Sequence, residues 1–210
     1  MFSSGLTPNR RRQLSPSIHR GADGTGVHIF IVDTGVWSSH VEFGGRVVIT
    51  HTTVDDSSSL DVHGHGTHCA GVAASSTYGV ARNATLHSVK VLSDAGVGSS
   101  SDVIEALDFI IGEKVKNPGT PIIASMSLGG GLSSSLNSAV AAAMNRNITV
   151  IAAAGNENQD ACLSSPSSSN AITVGSVDNT WDDRVSGFSN YGDCVDIYGK
   201  DIFFGGGWGR

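Results

Sequence analysis

Little of this 210-residue chain is charged: Lys, Arg, Asp and Glu make up 15% of it and leave a formal net charge of −6. Such a balance speaks against nucleic acid as a partner, because basic side chains are what hold phosphate. The one basic run, Arg10-Arg11-Arg12, is short, lies near the amino terminus and reads as a solvated tail. Long hydrophobic runs are also missing, so no segment is expected to span a membrane. The opening Met1-Phe2-Ser3-Ser4-Gly5 lacks the apolar core of a signal peptide. Cysteine is scarce. Cys69, Cys162 and Cys194 allow one disulfide and one free thiol, or no disulfide at all.

What is plentiful is Gly, Ala and Ser, beside a hydrophobic share of 39%. That mixture suits closely packed layers joined by many turns, not a disordered chain, and the length suits one domain with a sizeable core. Apolar, β-branched runs at Val27 to Val32, Leu86 to Leu92, Pro121 to Leu128, Ile148 to Ala154, Ala171 to Val177 and Val195 to Tyr198 read as strands. Between them, Val103, Ile104, Leu107, Ile110 and Ile111 have helical spacing over Ser101 to Lys116, and the Ala-rich Ser134 to Met144 also reads as helix. No internal repeat is visible. Near-continuous apolar strands alternating with helices predict an α/β fold, a doubly wound, mostly parallel sheet with helices on both faces. Function in such a sheet gathers beyond the carboxyl ends of the strands. Three pieces of polar or Gly-rich punctuation fall there: Asp33-Thr34-Gly35, Gly129-Gly130-Gly131 and Gly155-Asn156.

The densest chemistry is Asp61-Val62-His63-Gly64-His65-Gly66-Thr67-His68-Cys69-Ala70-Gly71. A zinc site is one reading, with Cys69 as a further ligand, but the helical His-Glu-x-x-His pair is absent. Core or capping histidines are a second reading and acid–base chemistry a third; the cluster alone leaves all three open. A helix is expected from Thr67 onward, with His63 before it. A nucleotide-binding reading of Gly21-Ala22-Asp23-Gly24-Thr25-Gly26 fails on context, because the glycines precede a strand instead of following one.

Taken in order, Asp33-Thr34-Gly35, His65-Gly66-Thr67-His68-Cys69-Ala70-Gly71, Ser127-Leu128-Gly129-Gly130-Gly131 and Ala153-Ala154-Gly155-Asn156 resemble the subtilases, the subtilisin-like serine proteases, and within them the proteinase K branch. Phe188-Ser189-Asn190-Tyr191-Gly192 extends the resemblance. It divides the chain into an N-terminal segment 1–23, a partial catalytic domain 24–199 and a divergent tail 200–210. It implies a secreted, monomeric endopeptidase acting on peptide or protein substrates with no catalytic cofactor. His65 would be the general base and Asp33 the carboxylate that orients it. Asn156 would donate to the oxyanion. Ser127, Leu128, Gly129 and Gly130 would form one peptide-binding edge and Gly96, Val97 and Gly98 the other. Ala153, Ala154 and Gly155 would wall a primary pocket roomy enough for a large apolar side chain. The resemblance also implies a disulfide between Cys162 and Cys194, a buried free thiol at Cys69, and structural calcium at Asp196 with carbonyls near Asn170 and Ile172, while His68 reads as a packing residue or one that supports the site from behind.

One departure stands out. The family carries its nucleophile on Gly-Thr-Ser-Met-Ala, and that string does not occur in these 210 residues. After Tyr198-Gly199 the chain reads Lys200-Asp201-Ile202-Phe203-Phe204 instead of the family's Pro-Gly turn. The expectation is a fragment, inactive alone, whose sheet is left partly uncovered where the family's central helix would pack. A non-catalytic, peptide-binding subtilase relative is the alternative.

Overall fold

His28–Asp33 forms β1, and every other element of the structure is arranged around this strand. A computed structural model describes residues 22–55, 58–178 and 184–200. The Arg10–Arg12 run, and the N-terminal segment and tail apart from 22–23 and Lys200, lie outside the described residues. The strands after β1 are β2 (Val47–Thr52), β3 (Thr85–Lys90), β4 (Ile122–Met126), β5 (Gly130–Gly131), β6 (Ile148–Ala153), β7 (Ser164–Ser165), β8 (Ile172–Val177) and β9 (Ile197–Lys200). The helices are α1 (His65–Ala74), α2 (Ser100–Lys116) and α3 (Ser134–Met144). Seven strands make one sheet in the order β2-β3-β1-β4-β6-β8-β9, and all its pairings are parallel.

The alternation of side chains along β1 sorts the two faces. Phe30 and Val32 point to the layer of α2 and α3, where Val103, Leu107, Ile110, Leu136 and Val140 complete the larger core. Ile29 and Ile31 point the other way, to α1, with Phe43, Ala70, Ala74 and Leu86. Asp33 continues that second series. The parity of β1 therefore carries the carboxylate to the α1 face. The α2 helix opens with a reciprocal cap, Ser99 Oγ accepting from Asp102 N and Asp102 Oδ2 from Ser99 N, which sets its start at Ser100, one residue before the expected Ser101.

Three strands, β2, β5 and β7, escape the sequence reading. Strand β2 sits at a sheet edge with Val48 and Ile49 exposed, so it lacks the burial that marks the interior strands β1, β3, β4 and β6. The Gly129-Gly130-Gly131 punctuation is more than a turn, because Gly130 and Gly131 pair antiparallel with Ser165 and Ser164. Strand β9 runs from Ile197 to Lys200, two residues later than the expected Val195 to Tyr198. The chain reverses its direction of winding between β3 and β4, across β1. The crevice is therefore expected at the carboxyl end of β1. On the α1 face, Ala70 and Ala74 of α1 pack over Ile29, Ile31 and Leu86 of β1 and β3. Over β4, β6 and β8 that face opens into a cavity of about 1120 Å³.

Candidate active site

Helix α1 begins with His65, directly beside the end of β1. His65 Nδ1 and Asp33 Oδ1 are 2.7 Å apart. The approach demands glycine at position 66. A Cβ there would run into the carbonyl of Gly35 and would press on Asp33 Oδ1 at 3.2 Å. Asp33 Oδ1 also accepts from Thr34 N at 2.7 Å, whereas Oδ2 is buried without a hydrogen-bond partner among the described residues. The two members of the pair meet solvent differently: the Asp33 side chain is 1% exposed and that of His65 42%. The carboxylate is shielded and the imidazole is reachable. The His65 pKa is raised above its ordinary 6.5, first by the Asp33 hydrogen bond and then by Cys69, whose Sγ lies 4.0 Å from Nδ1; burial opposes both.

The walls of the cavity come from four strand ends and α1. His65, His68, Cys69, Ser127, Ala153 and Asn156 all line it. Across from the pair, the Ala154–Asn156 turn is organised by Asn190, a fully buried side chain. Asn190 Nδ2 donates to Ala154 O at 2.9 Å and to Glu157 Oε2 at 2.7 Å, and Asn190 Oδ1 accepts from the amides of Glu157 and Gln159, each at 3.1 Å. Glu157 Oε2 in turn accepts from Asn156 N at 3.0 Å. Gly155 takes φ +105°, a conformation that only glycine adopts without strain. The result is an exposed Asn156 on a rigid turn, facing the same cavity as the imidazole. A carboxylate-oriented imidazole opposite an amide donor can move a proton and stabilise a developing oxyanion.

Residues 24–207 match the profile of the subtilase family, Peptidase_S8. The chain belongs to that family. It is 47% identical over 179 residues to the extracellular serine proteinase of Thermus sp. strain Rt41A, a match that covers 84% of this chain and 42% of that protein. Proteinase R of Parengyodontium album is 46% identical over 183 residues, covering 85% of this chain and 46% of the relative. The chain thus spans less than half the length of these relatives. Among solved structures, that of a cold-adapted subtilisin-like serine proteinase superposes with a TM-score of 0.79 at 45% identity, over 86% of this chain and 64% of the other. The fold and the proteinase K-like resemblance read from the sequence are thereby established for this subtilase.

The remaining expected site residues fall into three places. Ala153, Ala154 and Gly155 line the cavity with Ser127. Leu128 and Gly129 lead from β4 toward β5, where Gly130 already has an internal partner in Ser165. On the far side, Gly96 lies against the ring of His63, which stands 6.3 Å from the ring of His65. Val97 turns its own carbonyl to Ser93 N at 2.8 Å and its amide to Ser93 Oγ at 3.3 Å. The Gly96 amide likewise donates to Ser93 O at 2.8 Å. Asp196 is exposed, and its Oδ2 accepts from Thr173 N at 2.8 Å. Cys162 and Cys194 are bonded, with Cα atoms 5.3 Å apart. Cys69 is free but only half buried, which corrects the expectation of a buried thiol: it sits on the cavity side of α1. His68 likewise lines the cavity. No helix among the described residues is long and apolar enough to cross a membrane.

Sequence reasoning passed over three supporting residues. Asp61 opens the histidine motif yet carries no expectation. Asn190 looks like part of a turn motif. Lys90 ends an apolar strand, is fully buried, and donates to Thr34 O and Asp94 Oδ1, each at 2.9 Å. For Asp61 a signal exists, an aspartate just ahead of a helix whose N-cap is glycine. For Asn190 and Lys90 no local signal does, because their partners lie 31 or more residues away in sequence, apart from Asp94.

Proposed function

We propose that this chain supplies the Asp–His half of a serine endopeptidase centre that works by acyl transfer. The observation that carries this reading is the 2.7 Å Asp33–His65 contact at the rim of a cavity that Asn156 also lines. In the proposed reaction an extended peptide lies between Ser127–Gly130 and Gly96–Gly98. The side chain before the scissile bond enters the space walled by Ala153, Ala154 and Gly155, whose small size suits a large apolar group. In its neutral form the His65 imidazole takes the proton of a serine hydroxyl and returns it to the leaving amine. Asp33 holds the tautomer and stabilises the imidazolium, and Asn156 donates to the oxyanion. The family's Gly-Thr-Ser-Met-Ala is not among these 210 residues, so the 210-residue chain by itself is expected to be inactive. Secretion fits the extracellular relative and the Cys162–Cys194 bond, since disulfides persist in oxidising compartments. Hard oxygen donors at Asp196 and the nearby carbonyls of Asn170 and Ile172 suit calcium as a structural ion. The protein is read as a monomer that acts on peptides or proteins and binds neither nucleic acid nor membrane.

The test is to clone the longest transcript frame that contains this chain and assay a chromogenic peptide with a large apolar residue before the scissile bond. Cleavage that is blocked by a fluorophosphonate and abolished by His65→Ala supports the reading. A continuous frame that binds the peptide but never cleaves it supports the peptide-binding alternative instead.

A further inference from the structure

The helix that delivers His65 has no cap of its own. Its N-cap, Gly64, has φ +96° and no side chain, yet the amides of Gly64, Gly66 and Thr67 at its start all find side-chain acceptors. The partner is Asp61. Its Oδ1 accepts from Gly64 N at 2.8 Å and from Thr34 Oγ1 at 2.8 Å. Its Oδ2 accepts from Thr67 N at 2.9 Å and from Thr67 Oγ1 at 2.6 Å. Thr34 Oγ1 passes the connection on by accepting from Gly66 N at 2.9 Å, while Thr34 N binds Asp33 Oδ1. Thr67 Oγ1 also accepts from Trp37 N at 2.9 Å. The backbone of 59–61 lies directly on Gly35, whose φ is +100° and whose absent side chain leaves the room. One carboxylate thus ties the turn that holds Asp33 to the helix end that holds His65.

We propose that Asp61 is a positioning residue of the Asp33–His65 pair. It fixes the separation of the two partners, and its negative charge offsets the partial positive charge of the α1 N-terminus, which would otherwise disfavour an imidazolium at the first helical position. Only a carboxylate fits. Four donors point at it, and the two hydroxyls can rotate to accept instead, but the amides of Gly64 and Thr67 address opposite oxygens. An asparagine therefore loses one amide bond whichever way its side chain turns.

The proposal rests on the catalytic reading of the pair, but its test needs no proteolysis and so fails or succeeds separately. The 210-residue chain is labelled with 15N, the His65 resonances are assigned by their loss in His65→Gln, and the imidazole is titrated. Asp61→Asn is expected to lower the His65 pKa by about one unit or more and to broaden or remove the Nδ1 proton resonance. Thr34→Val, which cuts the link but keeps the charge, is expected to weaken the same resonance with a smaller fall in pKa. Ser99→Ala, which uncaps α2, is the control: it lowers stability and leaves His65 unmoved. A folded Asp61→Asn with unchanged His65 titration and resonance overturns the proposal. If Asp61→Asn does not fold, an unchanged resonance in Thr34→Val overturns it.

Discussion

Asp33 Oδ1 accepts from both His65 Nδ1 and Thr34 N, so the charge of one buried oxygen governs the imidazole. Asp33→Asn keeps the shape and removes the charge. The His65 pKa is expected to drop toward its ordinary 6.5. The stability consequence follows in sign. A histidine whose pKa is raised on folding contributes fully below 6.5 and loses that contribution as pH rises through the folded value. The wild-type chain should therefore lose more stability than Asp33→Asn on going from neutral to alkaline pH, measured by urea unfolding beside an NMR titration of His65. Asn190 is the counterpart on the other wall. Asn190→Asp sets a carboxylate oxygen against Ala154 O and Glu157 Oε2, which now receive no proton. A loss of about 3 kcal/mol or more is expected for a buried group turned against its partners. Hydrogen exchange at the amides of Glu157 and Gln159 should quicken in step.

Strands β1 and β3 carry a second histidine pair at the end opposite the site. His28 Nδ1 and His87 Nε2 are 2.8 Å apart, and His87 stacks on Phe30 with ring centroids 4.2 Å apart. Burial and then His28 push the His87 pKa down from 6.5 to about 4, against a smaller pull from Glu113 on α2. Here the sign is reversed. The unfolded chain binds the proton more readily, so stability is full above 6.5 and is lost as pH falls toward about 4. The expected loss is about 1–2 kcal/mol once partial exposure is allowed for. His87→Phe keeps the stack and should abolish that acid component, as read from urea midpoints on either side of the window.

At the scale of the whole molecule, the described residues cover the sheet on the α2–α3 face and leave it half open on the other. The 1120 Å³ cavity is both the candidate site and the gap in the covering layer. The β8–β9 end of the sheet is steadied covalently. The Cys162–Cys194 bond closes 32 residues of separation around β8, which by the chain-entropy account stabilises by about 4 kcal/mol. Replacing both cysteines with serine should lower stability by up to that amount and loosen β8 and β9 first, while the amides of β1 and β3 keep their protection. Loss of protection spread evenly over the sheet would contradict this.

Local patterning determined much of this protein without a structure. Six of the seven main-sheet strands, α2 and α3 are legible, because burial of the interior strands demands apolar runs and amphipathic helices demand a 3.6-residue period; edge strand β9 showed as an apolar run although it is mostly exposed. The family is legible because Asp33, His65 and Gly155-Asn156 sit in local strings that steric need keeps short: glycine where α1 meets the β1 turn, and glycine at φ +105° before Asn156. Strand β2 was not legible, since an edge strand with Val48 and Ile49 in solvent carries no burial signal. Tertiary structure alone decided the rest. The parity of β1 sets Asp33 toward α1, the β5–β7 pairing takes up one edge of Gly130, and the cavity side of α1 leaves Cys69 half exposed. Lys90 and Asn190 became visible only there, because hydrogen bonds reaching across dozens of residues, such as the 56 between Lys90 and Thr34, have no local pattern to announce them, and the link of Asp61 to Thr34 across 27 residues was equally hidden.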